Sequence, residues 1–297
     1  MTILERAWAE APRTGAYRCS FNPLAATLRW TEWGPLDGDP VICVHGLTRT
    51  GRDFDVLARL LAGQGRRVIC PDIFGRGISD WLIEGALYSV PTYVTGLAPM
   101  LASLERPYDW VGTSMGGLIT LALTAIKPKA IAAAILNDVG PEVAAEGLAR
   151  IAAYTGQPVV IESWDDATAY ARRINEAAFP DYTDADWAAF ARRVFREGTE
   201  GAPVLDYDPD ISAPIKAAGS KALVPNLWPS FRALARKKPT LLVRGGTSDL
   251  LSSAIADKMK KAAPAMAYAE VPGVGHAPML DEPEARAAIF EFLAGVG

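Results

Sequence analysis

The sequence predicts an α/β fold: a mostly parallel sheet covered by helices on both faces and interrupted by one helical insertion. Three observations predict it. Short apolar runs rich in β-branched residues alternate with segments of helical spacing through the first half of the chain, and the alternation returns after residue 240. The stretch between, from Pro141 to about Arg236, is rich in Ala, Arg, Glu and Trp at helical spacing and carries no strand-like run. With 297 residues, 50% hydrophobic and 22% charged, the chain can bury one large core, so one domain carrying an insertion accounts for the length.

Taken in order, the first strand-like run is 26–33, followed by 41–44, 68–70 and 110–112. Residues 54–61, 93–104 and 115–126 repeat apolar side chains every three or four positions, which gathers them on one helical face. A further apolar run spans 131–136, and in the last part 240–243 and 268–271 read as strands, 255–262 and 284–293 as helices. The insertion is punctuated at Phe179-Pro180-Asp181 and Tyr207-Asp208-Pro209-Asp210, where proline cannot continue a helix. There is no internal repeat or low-complexity tract.

Composition excludes several function classes. A net charge of −4, with no basic run beyond Arg236-Lys237-Lys238, gives no footprint for nucleic acid. Cys19, Cys43 and Cys70 are scattered without metal spacing and read as buried reduced thiols. Two histidines and no Cys-x-x-Cys pair are too few soft ligands for a tetrahedral zinc site, so no metal and no cofactor are expected. Residues 1–10 lack the basic start and apolar stretch of a signal peptide, and no run reaches the length of a membrane span. The expectation is a cytoplasmic protein, monomer or homodimer, without membrane insertion.

The sharpest local signal is Gly112-Thr113-Ser114-Met115-Gly116, a G-x-S-x-G pattern placed between a strand-like run and a helical one. Such a turn is strained and leaves the serine hydroxyl exposed, and it needs small flanking residues because side chains there would strike neighbouring backbone. The helix beginning at the turn aims its first N–H groups at a developing oxyanion, so the Met115 N–H is a candidate donor. Alone, the pattern reads equally well as a glycine-rich turn.

A serine hydroxyl is a poor nucleophile until an imidazole takes its proton. His276 lies in the Gly/Pro-rich loop Val271-Pro272-Gly273-Val274-Gly275-His276, directly after the last strand-like run, where it can reach over the C-terminal edge of the sheet. The orienting carboxylate is expected at Asp249, on the loop after 241–244. A helix N-cap role for Ser248, Asp249 or Ser252 competes with that reading, and Asp138, after 131–136, is a second candidate acid. His45 ends a buried strand before Gly46 and reads as a residue that holds its loop, with the Leu47 N–H as a second oxyanion donor.

Two look-alikes fail. Residues 46–53 start like a phosphate-binding loop, but Arg52-Asp53 stands where Lys and Ser or Thr are needed. Gly75-Arg76-Gly77-Ile78-Ser79-Asp80 opens like a dinucleotide fingerprint and lacks its third glycine.

Together, His45-Gly46, the run Asp72-Ile73-Phe74-Gly75-Arg76-Gly77-Ile78-Ser79-Asp80, the Ser114 motif with Gly117, and the loops of Asp249 and His276 resemble the α/β-hydrolase family over nearly the whole chain. The resemblance implies an eight-stranded, mostly parallel sheet flanked by helices, with Ser114 at the nucleophile turn and a helical cap at 140–236 between core portions 1–139 and 237–297. Haloalkane dehalogenases and epoxide hydrolases carry aspartate where Ser114 stands. Proline iminopeptidases usually have His-Gly-Gly-Pro-Gly where this chain has His45-Gly46-Leu47-Thr48-Arg49. Cofactor-free perhydrolases commonly place an aromatic residue at the Leu47 position, while meta-cleavage carbon–carbon hydrolases share the Ser-Met-Gly-Gly run.

The chemistry expected is acyl transfer: Ser114 attacks an ester carbonyl, His276 relays the proton, Asp249 fixes the imidazole, and the Leu47 and Met115 N–H groups hold the oxyanion. The substrate is expected to be a small to medium hydrophobic ester. Leu47, Met115, Trp164, Trp187, Leu223, Leu227, Trp228 and Phe231 are available to line its pocket, with Tyr88 and Tyr93 as weaker candidates. A carbon–carbon hydrolase would need a cationic site, for which Arg172, Arg173 or Arg232 is available. A hydrolase fold retained as a small-molecule binding module is the non-enzyme alternative.

Overall fold

The structure, a computed structural model, describes residues 11–21, 24–218 and 226–296. Its strands are β1 (Arg13–Phe21), β2 (Leu24–Trp33), β3 (Pro40–Val44), β4 (Arg67–Asp72), β5 (Tyr108–Thr113), β6 (Ile131–Asn137), β7 (Phe195–Glu197), β8 (Pro203–Leu205), β9 (Thr240–Gly245) and β10 (Ala267–Val271). The helices are α1 (Asp55–Ala62), α2 (Val90–Ala102), α3 (Met115–Ile126), α4 (Ala145–Tyr154), α5 (Trp164–Asn175), α6 (Asp184–Val194), α7 (Ala213–Ala218), α8 (Trp228–Lys237), α9 (Ser253–Ala262) and α10 (Pro283–Ala294). Eight strands form one sheet in the order β1-β2-β4-β3-β5-β6-β9-β10. The β1–β2 and β2–β4 pairs are antiparallel, and every pair from β4 to β10 is parallel.

The expected eight-stranded, mostly parallel sheet is present, and its layers follow from the strand period of two. Along β3, Ile42 and Val44 enter one core with Ile69, Trp110, Leu136 and Leu242, against Leu97, Ile119 and Met259 of α2, α3 and α9. Val41 and Cys43 face the other side with Val68, Val111, Ile135 and Val243, against Leu57 and Leu61 of α1 and Ile289 and Leu293 of α10. Strands covered on both faces read as unbroken apolar runs, and that is what makes them visible in the sequence.

Two strand features depart from expectation. No strand was expected before residue 26, yet β1 pairs along the edge of β2. Over residues 13–20 most side chains are exposed and Cys19 alone is buried, so no apolar period marks them. The segment between β6 and β9, expected to be purely helical, also contains the antiparallel pair β7–β8. Three-residue strands are too short to declare a period.

The β6–β9 segment has its own packing. Helices α5 and α6 each start on a capping box, Ser163 with Asp166 and Thr183 with Asp186, which satisfies N–H groups that a helix start otherwise leaves unpaired. Tyr170, Phe179, Trp187, Phe190, Val194 and Phe195 form a separate aromatic cluster. Its last helix, α8, belongs elsewhere: Phe231 and Leu234 are buried in the main core and α8 packs on α3.

Candidate active site

The Ser114 turn joins β5 to α3. Ser114 has φ 51 and ψ −112, a left-handed backbone that costs a non-glycine residue energy and is tolerated where the surroundings fix it. Its N–H donates to the Asn137 carbonyl at 3.0 Å, and its carbonyl accepts from Gly117 and Leu118. The small neighbours are steric necessities: a Cβ on Gly112 would lie 2.6 Å from the Gly116 carbonyl, and one on Gly116 2.0 Å from the Val44 oxygen.

His276 Nε2 lies 2.9 Å from Ser114 Oγ, and His276 Nδ1 lies 2.7 Å from Asp138 Oδ2. A carboxylate can only accept, so the Nδ1 proton points to Asp138 and the Nε2 lone pair faces the serine hydroxyl. Asp138 is wholly buried at the end of β6, with Oδ1 accepting from the Gly245 N–H at 2.9 Å and Oδ2 from Ser248 Oγ at 2.6 Å. Asn137, also fully buried, donates to the Pro278 carbonyl at 2.8 Å and so ties the end of β6 to the histidine loop.

This geometry corrects the expectation for Asp249. Asp249 accepts from Arg150 Nε at 2.5 Å and Nη2 at 2.9 Å, and that pairing holds its carboxyl below the usual carboxylate range. The histidine instead meets Asp138, the alternative acid. Both acids follow strands that are neighbours in the sheet, so both reach the same edge, and chain order cannot separate them.

On the other side of the serine lies the loop after β3. The His45 ring is completely buried: its Nε2 accepts from the Ile73 N–H at 3.0 Å, so its proton is on Nδ1, 2.7 Å from the Gly46 carbonyl. Burial drives the His45 pKa down to about 3, which keeps the ring neutral. Holding the Gly46 carbonyl fixes the peptide plane that carries the Leu47 N–H. That N–H and the Met115 N–H, the first of α3, are the candidate oxyanion donors.

Above these groups is a cavity of about 80 Å³, roofed by the β6–β9 segment. Gly46, Leu47, Ser114 and His276 form its floor. Ile151, Ile174, Phe179, Phe190, Val194 and Leu205 give apolar walls, while Thr48, Arg49, Asn175, Tyr154, Tyr170 and Tyr207 add polar ones. Burial raises the pKa of all three tyrosines, so they present neutral hydroxyls. Arg49 is occupied by Asp53, at 2.8 and 2.5 Å, and lies 4.1 Å over the Phe190 ring.

The comparisons agree with this architecture. Residues 41–289 match the model of the alpha/beta hydrolase family. The chain belongs to that family. This hydrolase is 37% identical to a 3-hydroxybutyrate-oligomer hydrolase from Cupriavidus necator, over 96% of its own length and 99% of that protein's. It is 27% identical to an esterase from Mycobacterium tuberculosis, over 98% of its own length and 92% of the other's. Among solved structures, an alpha/beta hydrolase from Novosphingobium aromaticivorans superposes with a TM-score of 0.88 at 40% identity, covering 95% of this chain and 98% of that one.

Of the side chains expected to line the hydrolase's pocket, Leu47 does so. Met115 turns its side chain into the core, 3.7 Å from Arg76 Nη2. Trp187 is buried in the aromatic cluster and Trp164 lies beneath Arg192, at 3.4 Å. Trp228 and Phe231 sit on α8 over the main core, where Leu227 also packs, and Leu223 lies outside the described residues. Tyr88 and Tyr93 pack beside Arg76. None of the arginines considered for a cationic site lines the cavity: Arg172 pairs with Asp184, Arg173 packs on Tyr170 and Arg232 on Trp228. Of the residues that do line it, Tyr154, Tyr170 and Phe190 carry a faint sequence signal at most, because helical spacing does not tell which face of an inserted helix looks down, and Phe179 and Tyr207 lie between elements, where no period applies. Among the described residues no helix is long and apolar enough to cross a membrane, and no group of three His, Cys, Asp or Glu could hold a metal ion.

Proposed function

We propose that this hydrolase is a serine carboxylesterase working through an acyl-enzyme on short-chain esters, with esters of small hydroxy acids as its preferred class. The observation that carries the proposal is the unbroken line from Ser114 Oγ through His276 to the buried Asp138. Ser114 attacks the ester carbonyl as His276 Nε2 takes its proton, and the Leu47 and Met115 N–H groups stabilise the tetrahedral oxyanion. His276 then protonates the departing alcohol, and water enters by the same route to release the acid. Asp138 holds the imidazole in the productive tautomer and stabilises its charged form.

The substrate class rests on the cavity. Its volume is small beside the ~300 Å³ at the low end of ligand pockets, which favours a short acyl group. Asn175 and the tyrosine hydroxyls among its apolar walls suit an acyl chain that bears a hydroxyl of its own. The similarity to a 3-hydroxybutyrate-oligomer hydrolase supports the same class. The β6–β9 segment acts as the lid over this chemistry.

A substrate panel tests the reading: butanoate, 3-hydroxybutanoate and octanoate esters and a 3-hydroxybutanoate dimer, with wild type and Ser114→Ala. The expected result is highest kcat/KM on the hydroxyacyl esters and none above background in the variant. Turnover by Ser114→Ala, or a preference for octanoate, contradicts it.

A further inference from the structure

Arg76, a residue the reaction as written does not use, has an unusual setting. Its side chain is completely buried, yet none of its hydrogen-bond partners among the described residues is a carboxylate. Asp208, the acid on the segment paired beside it, is taken by the Tyr88 hydroxyl at 2.5 Å and the Asp210 N–H at 2.9 Å. A buried cation without a hydrogen-bonded carboxylate is costly to fold, even where ring faces partly offset it, here Tyr93 at 5.0 Å and Tyr88 at 5.6 Å. Its contacts converge on the oxyanion groups. Nε donates to the Leu47 carbonyl at 2.8 Å, Nη2 lies 3.7 Å from Met115 Sδ, and Nη1 is anchored by the Phe74 carbonyl at 2.7 Å and the Tyr93 hydroxyl at 2.8 Å.

We infer that Arg76 is the positioning residue of the oxyanion site, clamping the Leu47 loop and holding a buried positive charge behind both N–H donors. The inference rests on the esterase reading above. His45 fixes the peptide before Leu47 and Arg76 the peptide after it, so the Leu47 N–H is held from both sides. A fixed cation in a water-poor interior acts more strongly on a developing oxyanion than it would in water, and it needs no rearrangement when the charge appears. The backbone carrying Arg76 is also paired with the segment over the cavity. Asp208 N–H donates to the Gly75 carbonyl at 2.7 Å and Gly77 N–H to the Asp206 carbonyl at 2.9 Å, while Tyr207 between them lines the pocket. The lid and the oxyanion loop therefore share one anchor.

The test compares wild type with Arg76→Met, which keeps bulk and removes charge and donors, and Arg76→Lys, which keeps charge and loses the fork. Three quantities are read on active-site-titrated enzyme: kcat and KM for a p-nitrophenyl butanoate ester, the affinity of butylboronic acid, whose serine adduct is an anionic tetrahedron, and amide hydrogen exchange over residues 45–50. Arg76→Met is expected to lower kcat about 10²-fold with KM within about twofold, in the range of losing one oxyanion donor, and to weaken the boronate by a similar factor. Exchange in the loop should rise, and Arg76→Lys should recover part of kcat. Wild-type kcat and boronate affinity per titrated site in Arg76→Met, or a loss confined to KM, overturns the inference while leaving the esterase reading intact. A wild type that neither turns over the ester nor binds the boronate overturns the esterase reading, and loop exchange then decides the clamp by itself: faster in Arg76→Met supports it, unchanged refutes it.

Discussion

Replacing Asp138 and Asp249 separately by Asn separates the acid that the geometry places on His276 from the one that the sequence favours. Asp138 is wholly buried and accepts three hydrogen bonds, from Gly245 at 2.9 Å, Ser248 at 2.6 Å and His276 at 2.7 Å. An asparagine side chain has one acceptor oxygen, so its NH₂ must face either the Gly245 N–H or the Ser248 and His276 donors. Facing His276, it donates to Nδ1, drives the imidazole proton onto Nε2 and removes the base that Ser114 needs. Facing Gly245, it sets donor against donor in the interior, at ~1–3 kcal/mol of stability. The first arrangement keeps the fold and costs about 10⁴-fold in kcat, which is about 5.5 kcal/mol at the transition state. Asp249 is different: its side chain is 25% exposed and its Arg150 partner 29%. The pair is half-buried and neither member hydrogen-bonds His276, so Asp249→Asn should keep kcat within about threefold. The assay is kcat on p-nitrophenyl butanoate per titrated site, with Tm recorded for both variants. Loss of activity in Asp249→Asn with retention in Asp138→Asn would refute the reasoning.

Three further outcomes are expected. Lowering the pH from 7 to 5 protonates His45 in the unfolded chain but not in the fold, where its pKa is about 3, and so costs ~2 kcal/mol of stability. Asp72, pushed up to about 7 chiefly by burial, takes up its proton only in the fold over the same range and adds ~2 kcal/mol. Asp72→Asn removes the second effect alone, so its urea-melt stability should fall ~2 kcal/mol more than wild type between pH 7 and 5, and parallel profiles would contradict this. Phe190→Ala opens the cavity wall under Arg49: wild type should favour butanoate over octanoate esters by at least about tenfold in kcat/KM, and the variant by less than about threefold. Gly116→Ala would press a methyl group to 2.0 Å from the Val44 carbonyl oxygen, and calorimetry should show ~1–3 kcal/mol of destabilisation.

What the sequence makes legible follows from how much of an element's environment is local. Strands β3 to β6 announce themselves because burial on both faces forces continuous apolar runs, and the Ser114 turn because its glycines are demanded by backbone a few ångströms away. Edge strand β1 and the pair β7–β8 are set by backbone pairing with little burial and leave no pattern. The contest between Asp138 and Asp249 turns on Arg150, which comes from a helix distant in the chain. The pocket walls fail for the opposite reason to the strands. Tryptophans were the conspicuous residues of the 140–236 stretch, but Trp187 and Trp228 are spent on packing, and the smaller tyrosines and Phe190 face the serine.

Intact-mass spectrometry after incubation with a fluorophosphonate tests the covalent serine chemistry most directly. Wild type should gain one phosphonyl adduct, and peptide mapping should place it on Ser114. Ser114→Ala should gain none, and His276→Ala should react at least about 10³-fold more slowly. Labelling of Ser114→Ala to the same extent, or a folded wild type that takes up no adduct, would contradict the account.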